Sequence, residues 1–92
     1  MKDESAINEV SNELGISLKE TDYPFGKQVL ADKLNELVST QFQKLVAILY
    51  RMDVSETKLK QLLSDNPGTD AGLIIADLMI ERQKEKIRSR QQ

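Results

Sequence analysis

Ser55-Glu56-Thr57-Lys58 repeats the Ser-x-x-Lys spacing of serine acyl-transfer enzymes. In those enzymes the serine opens a helix inside a large domain, with partner motifs far along the chain. Ninety-two residues leave no room for them, and Ser55 suits the cap of a helix instead. Asp77, Glu81 and Glu85 recur every four residues, so a helix stacks three carboxylates on one face. Metal sites in helical bundles pair such acids with Glu-x-x-His motifs, and this chain has no histidine. Calcium or magnesium would need a loop with their ligand spacing, and none is present. With Lys84 and Arg88 nearby, the ladder reads as a solvated stripe. Asn66-Pro67-Gly68-Thr69 outlines a phosphate-binding turn. It lacks the P-loop lysine and a preceding strand, and Asp70 would repel an anion there. A cap and turn, with Gly68 and Gly72 allowing close packing, fits better.

The remaining chemistry is excluded by composition. Without cysteine or histidine there are no disulfides, thiolates, imidazole ligands or imidazole bases. Two Tyr, two Phe and no Trp supply too few rings for aromatic cages or base-stacking platforms. No catalytic residue, metal or cofactor is therefore expected. Charge is uneven. Asp3, Glu4, Glu9, Glu13, Glu20 and Asp22 oppose Lys2 and Lys19 in residues 1–24. Arg82, Lys84, Lys86, Arg88 and Arg90 oppose Glu81 and Glu85 in residues 81–92. Such asymmetry suits either a basic tail for nucleic acid or an acidic end lying beside a basic one. The five bases sit at alternate positions, which scatters them around a helix. Nucleic-acid binding is accordingly the second choice. The first residues do not read as a signal peptide. The longest apolar run, residues 71–76, is far short of the roughly 20 a membrane span needs. The expected compartment is the cytoplasm.

Four helices are needed to position these residues. The first spans residues 4–14, with Ile7, Val10 and Leu14 in phase and Gly15 as its left-handed end, Ile16 folding back on Val10. Residues 16–25 connect, with Tyr23-Pro24-Phe25-Gly26 carrying the turn. The second helix runs over residues 26–52. Thr40 and Gln43 could form a capping box, but Leu30, Leu34, Leu37, Val38, Phe42, Leu45, Ile48, Leu49 and Met52 share an arc of about 140°. That phase predicts one helix about 40 Å long, with Gln41 the polar residue in its stripe. Asp53 or Ser55 caps a third helix over residues 55–65, whose Leu59, Leu62 and Leu63 face inward. Asn66-Pro67-Gly68 stops it, and Thr69 caps a fourth over residues 69–89. That helix is apolar nearly all round up to Ile80, which marks it as central. Its apolar N-terminal turn argues against a DNA-reading helix-turn-helix.

The stretch LVAILYRMDVSETKLKQLL, followed after two residues by NPGTDAGLIIADLMIERQ, covers residues 45–83. It resembles a small uncharacterised bacterial family of all-helical proteins. The resemblance implies an intracellular helical protein and carries no activity or site residues with it.

The reading is an all-α, single-domain bundle over residues 1–92, frayed at residues 1–3 and 88–92. Its function is that of a non-enzymatic module binding another protein or itself. The long second helix offers more apolar stripe than its shorter neighbours can cover. Tyr50 and Arg51, off the stripe near its end, are the candidate partner contacts, with Gln41 a candidate for fixing register in a paired helix. The alternative partner, nucleic acid, would use Arg82, Lys84, Lys86, Arg88 and Arg90.

Overall fold

Gly15 (φ 73°) and Asp53 (φ 64°) are the residues with left-handed backbone among those described, and each closes a helix. In the computed structural model, which describes residues 2–16 and 25–90, the Ile16 N–H donates to the Ser11 carbonyl at 2.8 Å and the Gly15 N–H to Asn12 at 3.2 Å. The pattern recurs after Asp53. The Val54 N–H donates to Leu49 and the Asp53 N–H to Tyr50, both at 3.1 Å. These paired bonds satisfy carbonyls that a helix end otherwise orphans. Ile16 and Val54 then fold back onto the core.

The helices so delimited are α1 (Lys2–Glu13), α2 (Gly26–Thr40), α3 (Phe42–Arg51), α4 (Glu56–Asp65) and α5 (Ala71–Arg90). The fold is all-helical, as the sequence implies, but the continuous helix expected over residues 26–52 is two. Gln41 (φ −143°, ψ 56°) leaves helical geometry and separates α2 from α3. Just before the break, Ser39 Oγ donates to the Asn35 carbonyl (3.1 Å) and Thr40 Oγ1 to Glu36 (2.8 Å). Side chains that bond back to the preceding turn compete with the backbone ladder and bend helices. The apolar phase survives because only one residue is expelled. Leu30, Leu34, Leu37, Leu45, Ile48, Leu49 and Met52 are all buried; Phe42, on the same stripe, is not. The long element is α5, 20 residues and about 30 Å. The turn expected at Tyr23-Pro24 lies outside the described residues, as do residues 1 and 91–92 of the ends expected to fray (1–3 and 88–92); the described part of those ends is helical, α1 starting at Lys2 and α5 running to Arg90.

Central placement of the last helix is met. α5 packs against α1, α2 and α4, and buries Ile74, Ile75, Ala76, Leu78, Met79 and Ile80. Fully burying an aliphatic side chain contributes about 1.5–3 kcal/mol; Leu30, Leu34, Leu37, Leu45 and Met79 are each under 2% exposed. α2 approaches α5 at Gly72, where the Ala31 carbonyl and the Asn35 side chain occupy the space a Cβ would take. Gly68, expected to share that role, has open space around it. The cap of α5 is Asp70 and not Thr69: its Oδ1 accepts from the Gly72 N–H at 3.0 Å. Asn35 joins from α2, accepting the same N–H at 3.0 Å and donating to Asp70 Oδ1 at 2.6 Å.

Candidate docking groove

α4 is the least embedded helix: none of its residues is buried. Ser55 sets where it starts, accepting the Lys58 N–H on Oγ at 3.1 Å. Its inward leucines, Leu59, Leu62 and Leu63, are only half-buried. The break at Gln41 makes α3 a helix separate from α2. Between the two helices lies an apolar groove of about 420 Å³. Leu45, Leu49, Ala71 and Ile75 line it together with Val38, Val54, Leu59 and Leu63.

One wall is a row of large apolar side chains. Phe42, Val46 and Tyr50, also lining the groove, are four residues apart and so stack along one flank of α3. They are 58%, 47% and 87% exposed. Single exposed apolar residues are ordinary, but a contiguous patch beside a groove is a feature of interaction sites. Glu56 and Lys60, on the α4 wall, pair with one another at 3.1 Å and leave the rim without net charge.

Tyr50 therefore sits in the groove wall, while Arg51 is turned away and held by Glu13, with Nη2 at 2.7 Å and Nε at 2.9 Å from Oε2. Gln41 is exposed, at the junction of α2 and α3. Phe42 and Val46 are the groove residues that stripe analysis passes over. Phe42 belongs to the apolar stripe by phase, and Val46 lies just off it. Their four-residue spacing with Tyr50 is the signal that marks a second face.

The other candidates fall into ordinary surface roles. Ser55 is a cap, not paired with the Lys58 ammonium. Asp77 pairs with Lys27 from α2, Glu81 with Lys84 and Glu85 with Arg82, so the carboxylate ladder is matched by cations. Among the described residues no group of three or more acids could hold a metal ion. The basic segment is divided. Arg82 reaches Asp53 at 3.5 Å and Glu85 at 3.2 Å, with its Nε buried and without a hydrogen-bond partner. Arg90 clasps both oxygens of Glu9, at 3.0 and 3.1 Å. Glu9 of α1 thus lies against the basic end of α5. Lys86 and Arg88 make no ion pair among the described residues. Among those residues no helix is long and apolar enough to cross a membrane.

No family model matches the chain, and neither a curated protein nor a solved structure is similar to it.

Proposed function

We propose that the chain is a non-enzymatic helical interaction module whose binding face is the groove between α3 and α4. The observation that carries this reading is the row Phe42, Val46 and Tyr50, exposed beside an apolar groove of about 420 Å³. Tyr and Phe bring large contact area with few rotatable bonds, and aromatic residues are enriched at the centres of interfaces. The groove volume falls in the range of sites that take small numbers of apolar groups. Nucleic acid is the weaker alternative, because Arg82 and Arg90 are already committed to carboxylates on other elements. Phosphate contacts would have to compete with those pairs.

A photo-crosslinking residue in place of Val46, introduced into the full chain in its native host, tests the reading. Discrete protein adducts from position 46, absent when the same residue replaces Arg88, are expected. Equal labelling from both positions, or none from position 46, contradicts it.

A further inference from the structure

Two polar residues are buried among those described, Ser11 and Gln83. Ser11 is satisfied, its Oγ donating to the Asn8 carbonyl at 2.7 Å. Gln83 is only 7% exposed, and its side chain makes no hydrogen bond among the described residues. Among those residues Arg82 Nε is the unpartnered side-chain polar atom that is sealed from solvent. The Gln83 amide, unpartnered as well, therefore reaches accessible surface. It opens on a pocket of about 500 Å³ lined by Glu9, Gln83, Lys86, Ser89 and Arg90. This pocket shares no residue with the docking groove.

We propose that the pocket binds a small phosphomonoester, its phosphoryl group between Lys86 and Arg90 and a neutral polar part on the Gln83 amide. Positions 83, 86 and 90 are three and four apart, so they form one row along α5. Lys86 makes no ion pair among the described residues. Arg90 gives only Nη2 to Glu9, at 3.0 and 3.1 Å, which leaves its Nε and Nη1 groups to donate elsewhere. Glu9 thereby holds the guanidinium at the pocket wall. Two cations against one carboxylate leave the lining with a net positive charge.

The chemistry of the donors selects the ligand. The last turn of α5 favours cations, so side chains and not backbone N–H groups hold the anion. A phosphoryl group presents three acceptor oxygens, enough for Lys86, Arg90 and the Ser89 hydroxyl together. An amide offers a donor beside an acceptor, which matches a hydroxyl on the rest of the ligand better than the anion itself. The volume falls in the range of small-molecule sites.

Amide NMR titration of the full chain at constant ionic strength tests the site, with inorganic phosphate and the phosphate monoester of glycerol as probes. The ester should saturate with a Kd of about 1 mM, shifting the Gln83 side-chain amide and residues 86–90. It should bind about fivefold tighter than inorganic phosphate, the gain of one further hydrogen bond. Lys86→Gln should weaken both probes about tenfold. Arg88→Gln removes the same charge from the same helix outside the pocket, and should change either affinity by less than about twofold. Gln83→Leu should erase the ester's advantage and melt no lower than the parent, since leucine leaves no amide to satisfy. No saturation by about 50 mM ester overturns the proposal. So do equal losses from Lys86→Gln and Arg88→Gln, or equal affinities for the two probes. A Gln83→Leu chain that melts well below the parent would also overturn it, because the fold itself would then be holding the amide.

Discussion

Gly72→Ala is the substitution whose sign is set by packing against local preference. Position 72 lies in the first turn of α5, where alanine exceeds glycine in helix propensity by about 0.8–1.0 kcal/mol. From the helix alone, the change should stabilise. In the structure a methyl at this position would meet the Ala31 carbonyl and lie 2.7 Å from Asn35 Nδ2 and 2.8 Å from Asn35 Cγ. The Asn35 side chain can rotate away, but the Ala31 oxygen belongs to the α2 backbone. Moving Asn35 would break its bonds to the Gly72 N–H and to Asp70. Overpacking costs about 1–3 kcal/mol, and each lost hydrogen bond about 0.5–1.5 kcal/mol. Set against the propensity gain, overpacking and the two lost bonds leave a net loss of about 3 kcal/mol. A chain of this size shifts in Tm by about 4–8 °C per kcal/mol, so the transition should fall by roughly 12–24 °C. Circular dichroism during thermal and urea unfolding measures it. Gly68→Ala, with nothing within 4 Å of the new methyl, should change Tm by a few degrees at most. A Gly72→Ala chain as stable as the parent would refute the close approach of α2 and α5.

Asp53→Gly should stabilise by up to about 1 kcal/mol, since glycine adopts the left-handed backbone at no steric cost; urea unfolding reads it. The Asp53–Arg82 pair lost at the same time is long (3.5 Å) and exposed on the Asp53 side, so it offsets little. Ser55→Ala should cost about 1 kcal/mol by removing the cap of α4. Amide hydrogen exchange should quicken in residues 56–60 before any other helix responds. Glu9→Gln should lower stability by less than about 1 kcal/mol at low salt, with the difference from the parent vanishing in about 1 M NaCl. A loss that persists in salt would show that the Arg90 contact is more than a solvent-screened pair.

Much of the helical architecture is legible in the sequence because it is local. Gly15 after an apolar phase marks the end of α1, Ser55 marks the start of α4, and the nearly all-apolar circumference of residues 71–80 places α5 at the centre. The break at Gln41 is hidden from the same reasoning. Expelling one residue leaves Leu45, Ile48, Leu49 and Met52 in register with Leu30, Leu34 and Leu37, so periodicity records no fault. The cap at Asp70 depends on Asn35, 35 residues earlier, and no local pattern links the two. Periodicity also gives the direction a side chain faces, not how completely a neighbour covers it. Leu59, Leu62 and Leu63 point inward and remain half-exposed, and Phe42 belongs to the stripe and still meets solvent. The exposed wall of the docking groove is made of such incompletely covered residues, which is why periodicity singles out only Tyr50 among them.

The most direct measurement is photo-crosslinking from position 46 of the full chain in its native host, with position 88 as the control. Discrete protein adducts at position 46 alone, on the wall formed by Phe42, Val46 and Tyr50, are the expected result. Equal labelling from both positions, or none from position 46, would contradict docking at the groove between α3 and α4.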